Sequence, residues 1–178
     1  MQIIYRLLFY ILLALPIMMT VNVHAQTELS KLEPEEYFDF WVGHWDLTWE
    51  APDGTTETGS NRIEKILDGN VLLENFRSES GRFKGYEGKS FSVYHKTTGK
   101  WRQTWVDDSN EYIDLTGKFE GNKRIFVTEG PGPGGKNQLK RMVFYNITDS
   151  SFTWDWESSV DDGKTWKLMW RIHYRRQN

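Results

Sequence analysis

The segment 38–49, FDFWVGHWDLTW, carries three tryptophans and two phenylalanines in twelve residues. Before Gly43 the aromatic residues recur at roughly helical spacing, and a glycine commonly ends such an element. Over residues 44–50 polar and apolar residues alternate, which predicts a strand with Trp45 and Trp49 on the same face. The segment therefore predicts a short helix that leads directly into the first strand of an aromatic-rich sheet.

The first 25 residues have the tripartite form of a secretory signal peptide. One positive charge precedes an apolar run over 7–21, and small residues at 23–25 form a cleavage pattern. The run contains Pro16 and is shorter than the ~20 residues of a membrane-spanning helix. No cysteine follows it, so a lipid anchor is not expected. We predict that residues 26–178 form an exported chain, periplasmic or extracellular, which does not insert into a membrane.

The composition excludes several classes of protein. The formal net charge is −3 and no basic stripe is present, which argues against a nucleic-acid partner. The absence of cysteine excludes disulfides, thiolate zinc sites and cysteine nucleophiles. About 150 residues remain after the leader, enough for one domain. Nine tryptophans, eight tyrosines and ten phenylalanines predict a core held by aromatic contacts.

The rest of the chain has the pattern of an antiparallel meander. Alternating segments bounded by turn residues predict further strands at about 56–67, 71–78, 88–96, 101–106, 111–120, 123–129, 138–147, 151–158 and 165–175. The stretch 131–135, PGPGG, cannot pair inside a sheet and predicts an exposed loop. Closure removes the unpaired edges of so long a meander. The predicted fold is an all-β, about ten-stranded antiparallel barrel with a short helix at one end, and a sandwich is the alternative.

One short motif predicts a specific hairpin near the C-terminus. Residues 159–166, SVDDGKTW, match S-x-D-x-G-x-T-W at every fixed position. This pattern resembles the Asp box, a β-hairpin motif of sialidase-type propellers, in which the aspartate accepts bonds from turn amides and the tryptophan packs beneath. A single copy cannot form a propeller. We therefore assign a structural role in one hairpin to Ser159, Asp161, Gly163, Thr165 and Trp166.

Gly43 and Trp45, at the start of the first strand, resemble the G-x-W signature of lipocalin-like barrels. In that family the tryptophan closes one end of the barrel, and an arginine of the last strand lies across it. Arg171, Arg175 and Arg176 lie near the end of the last strand, which neighbours the start of the first strand in a closed barrel. The resemblance implies a barrel closure made by Gly43, Trp45 and Arg175, with a cation–π contact between the last two.

Longer segments resemble one family of exported bacterial proteins. The stretches FDFWVGHWDLTW (38–49), ILDGNVLLENF (66–76) and GKSFSVYHKTTGKWRQTWVDD (88–108), with the strand that ends at Gly117, are similar to domain-of-unknown-function family 1579. The resemblance covers nearly all of the mature chain. It implies a lipocalin-like, calycin-type barrel and no established activity.

A barrel of this strand number is wide enough to hold a ligand. Glu74 would lie in such a cavity with a raised pKa if its face of the third strand is the inner one, and would be solvated if the opposite face is. Gln103 is a second polar residue among rings. The aromatic candidates for the lining lie on the clearer apolar faces: Trp49, Trp105, Trp154, Trp156 and Trp170.

Cofactor and metal sites are not expected. Nitrobindin-type barrels open with a similar glycine–tryptophan segment and use a late histidine as haem ligand, which makes His173 the matching candidate here. The alternation of Trp170, Ile172 and Tyr174 instead predicts that His173 points outward. The acidic stretch 107–114 fits no known metal loop and predicts a solvated turn rather than a calcium site.

These observations favour a soluble binder or carrier of a small, largely apolar or aromatic molecule, of undetermined oligomeric state. Two alternatives remain open. The first is an enzyme that uses Glu74 as acid or base, for which Glu74 and Gln103 should point into one cavity. The second is a module that binds glycan or protein through an outer face formed by Lys100, Trp101 and Arg102.

Overall fold

The structure is a computed structural model that describes residues 28–128 and 138–177. Within them, strands neighbouring in sequence pair antiparallel, and the last strand pairs with the first to close a barrel. The strands are β1 (Gly43–Glu50), β2 (Thr56–Ile66), β3 (Val71–Ser78), β4 (Glu87–His95), β5 (Lys100–Asp107), β6 (Tyr112–Glu120), β7 (Lys123–Thr128), β8 (Leu139–Tyr145), β9 (Ser151–Ser159) and β10 (Lys167–Arg176). The predicted ten-stranded meander barrel is confirmed, and the pairing of β1 with β10 rules out the sandwich.

Two sequence-based assignments lie outside the described residues. The signal peptide at 1–25 and the loop at 131–135 both fall there and stay predictions. Among the residues that are described, no helix is long and apolar enough to cross a membrane.

The segment before β1 forms short turns instead of the single helix expected from the sequence. Three 3-10 turns cover Leu29–Lys31, Pro34–Glu36 and Asp39–Trp41. The second turn has a capping box. The Glu33 side chain accepts a hydrogen bond from the Glu36 amide, and the Glu36 side chain accepts one from the Glu33 amide. The first turn buries Leu29 and the third buries Trp41, whereas the second buries none of its residues. The short helical segment expected at this end of the barrel is therefore present, divided into three 3-10 turns.

Aromatic rings fill the end of the barrel where β1 begins. Phe38, Trp41 and Trp45 are at most 1% exposed. Phe38 stacks on Phe126 with ring centroids 4.5 Å apart, and Trp45 meets Phe152 edge-on at 4.8 Å. The Trp45 indole donates a hydrogen bond of 2.8 Å to the carbonyl oxygen of Trp41. The aromatic segment before and within β1 is thus the plug of the barrel and not a ligand platform.

The arginine that lies across Trp45 is Arg176, so the assignment of this contact to Arg175 was wrong. The register of β1 and β10 pairs Trp45 with Arg176, and the Arg176 guanidinium carbon is 4.2 Å from the Trp45 ring centroid. Side chains alternate along a strand, so Arg175 points to the outer surface. There it forms an exposed ion pair of 3.6 Å with Asp46.

Arg176 also binds the chain that enters β1. Its guanidinium donates to the carbonyl oxygens of Val42 at 2.7 Å and Phe40 at 3.0 Å. Gly43 makes this approach possible, because a Cβ built there would lie 2.2 Å from the Arg176 Nη1 atom, and its φ of +137° disfavours other residues. The glycine of the G-x-W segment therefore leaves room for the arginine.

The turn between β9 and β10 is held by the side chains of the Asp-box segment. Asp161 accepts from the Thr165 amide at 2.9 Å and from the Thr165 hydroxyl at 2.7 Å, and these bonds lower the pKa of Asp161 to about 2. The Gly163 amide donates to the Ser159 hydroxyl at 2.8 Å. The Trp166 indole donates to the Gly163 carbonyl oxygen at 3.0 Å. All five motif residues therefore serve one turn.

Replacing Arg176 by lysine tests the closure of the barrel. Arg176→Lys keeps the charge but loses the forked hydrogen bonds to Phe40 and Val42, which should lower the free energy of unfolding by about 2 kcal/mol. Arg175→Lys makes the same chemical change at the neighbouring outer position and should cost less than about 0.5 kcal/mol. Urea unfolding followed by tryptophan fluorescence measures both. Equal losses in the two variants would contradict this account of closure.

Candidate functional site

A cavity of about 280 Å³ occupies the barrel interior toward the end opposite the aromatic plug. Strands β3, β5, β6 and β8 to β10 contribute its walls, together with Tyr86 and Glu111 beside them. It is lined by Glu74, Phe76, Tyr86, Trp105, Asp107, Glu111, Ile113, Lys140, Met142, Trp154, Trp156, Trp170, Ile172 and Tyr174. Four of the five tryptophans expected to line a cavity are in this set.

The tryptophans form a rigid aromatic wall. Trp154 and Trp156 lie two residues apart on β9, with ring planes 2° apart and centroids 6.3 Å apart. The ring of Trp170 on β10 stands at 90° to that of Trp154, with a centroid distance of 5.9 Å. Trp105 approaches Phe76 at 6.2 Å on the other side. Because each ring packs against another, the wall is held in place without a ligand.

Small inward residues on β4 leave the space that the cavity and its lining occupy. Gly88, Ser90 and Ser92 are buried at alternate positions of the strand. A Cβ on Gly88 would lie 2.0 Å from the Trp105 ring, so only glycine lets the indole lie against the backbone there. Ser92 on β4 pairs with Gln103 on β5, and its small side chain likewise leaves room for the longer one. The residues of β4 thus allow bulky β5 side chains to fold over them.

Glu74 is the buried acid of the cavity. It is 5% exposed and lies on the inner face of β3, which resolves the choice left open by the sequence. Its Oε1 atom accepts from Asn61 Nδ2 at 2.7 Å, and its Oε2 atom accepts from the Ser90 hydroxyl at 2.6 Å. Asn61 Nδ2 also donates to the Tyr174 hydroxyl at 3.2 Å. The four side chains form one buried polar cluster beside the aromatic wall of the cavity.

Burial changes the titration of this cluster. Desolvation raises the pKa of Glu74 to about 7, although the hydrogen bonds from Ser90 and Asn61 act to lower it. The pKa of Tyr174 is also raised, mainly by burial and further by the charge of Glu74. Glu74 is therefore present in both protonation states near neutral pH, whereas Tyr174 stays protonated.

Gln103 takes part in the same network but does not line the cavity. Its Nε2 atom donates to the hydroxyls of Ser92 at 3.0 Å and Ser90 at 3.2 Å. Ser90 in turn donates to Glu74, so Gln103 orients the hydroxyl that binds the carboxylate. The expected direct ligand contact of Gln103 is corrected to a positioning role, because Gln103 is not among the residues that line the cavity and its amide nitrogen binds Ser90 and Ser92.

Trp49 also lies outside the lining. It is 4% exposed, and its indole donates to Glu57 Oε2 at 2.8 Å. Its ring meets that of Trp170 edge-on at 5.2 Å. Trp170 therefore separates Trp49 from the cavity, and the expected ligand contact of Trp49 is corrected to a support for Trp170.

Charged groups stand at the rim of the cavity. Asp107 Oδ2 accepts from the Tyr86 hydroxyl at 2.6 Å and from the Trp105 indole at 3.1 Å. Partial burial acts to raise the pKa of Asp107, but these bonds and those of the following turn outweigh it and lower the pKa. Asp107 thus stays ionised while it fixes two rings of the lining. Glu111 and Lys140 complete the charged groups around the space.

Residues weighed for cofactors and interactions lie elsewhere. His173 points outward from β10, as do His44 on β1 and His95 on β4, so no imidazole among the described residues reaches the cavity. The residues described contain no group of three or more histidine or acidic side chains arranged to hold a metal ion. Trp101 is 3% exposed and donates to the Pro34 carbonyl oxygen, so the outer face expected with Lys100 and Arg102 is not formed.

Sequence reasoning missed three members of the polar cluster. Asn61, Ser90 and Tyr174 come from β2, β4 and β10, and only the barrel register brings them together. One signal was available in the sequence: Gly88, Ser90 and Ser92 alternate with larger residues on a predicted strand. Small inward residues opposite a row of tryptophans indicate an unfilled interior.

The comparisons with known proteins identify the family of the chain. No curated protein matches the chain. Among solved structures it is similar to a redesigned β-barrel, with 14% sequence identity over 80% of this chain and 96% of that chain and a TM-score of 0.42. Residues 32–176 match the family described as "Protein of unknown function (DUF1579)". The chain belongs to this family, as the resemblance of its sequence segments implied.

Proposed function

We propose that this protein is a binder or carrier of a small, largely apolar or aromatic molecule. The observation that carries the proposal is the cavity of about 280 Å³, which combines a wall of tryptophan rings with a single buried polar cluster. Ligand sites are typically concave and mostly apolar, with a few polar groups that set orientation. A barrel built only for stability would fill this space with side chains, as the opposite end does.

Binding would be driven by removal of the ligand's apolar surface from water. The rings of Trp105, Trp154 and Trp156 offer flat surfaces for an aromatic or polycyclic body. At the polar cluster, Glu74 lines the cavity as an acceptor when ionised and as a donor when protonated. The Tyr174 hydroxyl oxygen accepts a hydrogen bond from Asn61. No described residue accepts a hydrogen bond from the Tyr174 hydroxyl, so this group can donate to a ligand.

The leader at residues 1–25 supports export of this carrier to the periplasm or the outside of the cell. The chain contains no cysteine, so an exported barrel of this sequence holds its fold without disulfides. Neither nucleic acid nor haem is part of the proposal, and the outward direction of His173 gives haem no axial ligand from that residue.

An enzyme is the second candidate, and one observation favours it. Glu74 lines the cavity with a pKa of about 7, the range in which a carboxyl group can both take up and release a proton at neutral pH. The criterion set from the sequence is met only in part, because Gln103 does not reach the cavity. A carboxyl without a second reactive group beside it supports proton transfer alone, so the carrier remains the better-supported function.

Filling the cavity should abolish binding without unfolding the barrel. Ile113 lines the cavity, and Ile113→Trp should weaken binding of the neutral probe N-phenyl-1-naphthylamine by about tenfold or more, because the new ring occupies ligand space. Val106 is 38% exposed on the outer face of the adjacent strand. The matched change Val106→Trp should alter affinity by less than about twofold.

Probe fluorescence titration measures both affinities, and circular dichroism checks the fold. Wild-type protein that fails to bind a panel of such apolar probes, and that leaves its own host without a small molecule in native mass spectrometry, would contradict the proposed function. A loss of affinity in Val106→Trp equal to that in Ile113→Trp would place the probe outside the cavity.

The stability of the protein should depend on Glu74 in a pH window near neutrality. The pKa of Glu74 is about 7 in the folded state against an ordinary value of 4.5, so the folded state holds this proton more tightly. Stability from this group is complete below pH 4.5 and is lost as pH rises through 7. The total loss is on the order of 3 kcal/mol.

The variant Glu74→Gln stays neutral and should not show this loss. The difference in unfolding free energy between Glu74→Gln and wild type should therefore grow in favour of the variant from about pH 5 to pH 8. Glu64→Gln, on the outer face one strand away, is the control and should follow the wild-type curve. A constant difference across this range would mean that Glu74 is ionised throughout.

A further inference from the structure

Glu74 is a buried carboxylate without a cation. No lysine, arginine or histidine in 28–128 or 138–177 forms an ion pair with it, and its hydrogen-bond partners Asn61 and Ser90 are neutral. Buried charges in proteins are normally paired, because removal of a charge from water is costly. Both partners donate to the carboxylate, which is the arrangement that favours the ionised form. The missing member of the cluster is therefore a positive charge, and the side from which it can come is the cavity.

The rings around Glu74 are also suited to a cation. A cation is attracted to the face of an aromatic ring, most strongly to tryptophan. The cavity lining includes four tryptophans, two tyrosines and one phenylalanine. Lys140 already uses this property at the rim, where its Nζ atom lies 5.9 Å from the Trp156 ring centroid. An ammonium group inside the cavity would meet ring faces on several sides and a carboxylate at one.

The charges of the lining act in the same direction. Three carboxylates line the space, those of Glu74, Asp107 and Glu111, against the single ammonium of Lys140. Asp107 stays ionised because of its hydrogen bonds from Tyr86 and Trp105. An anionic ligand, such as a fatty acid or an aromatic acid, would enter against two acidic groups and end beside a third. The field of the cavity therefore selects against anions and for cations.

We propose that the ligand of this cavity is an amine, with a protonated amino group on an apolar or aromatic body. The amino group binds the Glu74 carboxylate, and the body lies between the tryptophan rings. This proposal rests on the proposed function, since it names the chemical class of the molecule that the barrel carries. It gives the polar cluster a role in binding, whereas a wholly apolar ligand would not need the cluster.

Three ligands of one shape test the proposal by isothermal titration calorimetry at pH 8: 2-(1-naphthyl)ethylamine, 2-(1-naphthyl)ethanol and 1-naphthylacetic acid. The amine keeps its charge there, since alkylammonium groups titrate near ~10. We expect the amine to bind wild-type protein roughly 30-fold more tightly than the alcohol, and the acid to bind more weakly than both. In Glu74→Gln the preference for the amine should fall to about threefold or less, and in the control Glu64→Gln it should remain.

Proton release gives a second measurement that needs no variant. Burial raises the pKa of Glu74, so this group holds part of a proton near neutral pH, and binding of the amine should release protons, whereas binding of the alcohol should release none. Heats measured in two buffers of different ionisation enthalpy report the number of protons released. The other titratable groups that line the cavity are Tyr86, Asp107, Glu111, Lys140 and Tyr174. If Glu74→Gln does not fold, this measurement on the wild-type protein decides the question.

The outcomes separate this inference from the proposed function. If the alcohol binds wild-type protein as tightly as the amine, the amine proposal is overturned while the cavity remains a binding site for apolar molecules. An amine preference that survives in Glu74→Gln, or amine binding without proton release, also overturns it. If none of the three ligands binds, the amine proposal is overturned, and the probe panel and native mass spectrometry decide the proposed function.

Discussion

The pairing of β1 with β10, fixed by Arg176 over Trp45, is the contact on which the rest of the structure depends. It joins the two ends of the sheet, so every strand has two neighbours and no edge remains open. Arg176 adds hydrogen bonds to the chain before β1, which holds the aromatic turns over that end of the barrel. The same residue thus closes the barrel and caps its end. The register of β1 and β10 decides which side chains point inward.

Given that register, the two ends of the barrel differ because of side-chain size. Near the closure, phenylalanines and tryptophans from the turns and from several strands fill the interior, with Phe38 fully buried among them. Toward the other end, Gly88 and Ser90 on β4 provide too little volume to meet the tryptophans of β9 and β10. The rings there pack on one another instead, and a cavity remains. A single sheet therefore supplies both a rigid plug and a ligand-sized space.

Much of this could be predicted from the sequence, since strands with period-two alternation and short turns specify a meander, and no helical pattern competes. Local spacing indicated a short helical segment before β1 but did not show that it divides into three 3-10 turns. The choice between Arg175 and Arg176 depended on a register that differs by one residue, which turn signals do not fix. Distances between strands were required to place Trp49, Gln103 and the hydrogen-bond partners of Glu74. The alternation of side chains along one strand separates the inner from the outer face, but it does not show which inner residue reaches the cavity.

The unfavourable free energy of burying the Glu74 carboxylate is the strongest argument that the cavity has a function. An acidic side chain at this position lowers stability at neutral pH, and its partners Asn61 and Ser90 offset only part of its desolvation. An apolar set of the same volume would give a more stable barrel, because replacement of buried polar groups by well-packed apolar ones is commonly neutral or stabilising. Departures from the rules that stabilise a fold are expected at functional sites. Here the departure lies on the cavity wall, where no lysine, arginine or histidine of the described residues pairs with Glu74.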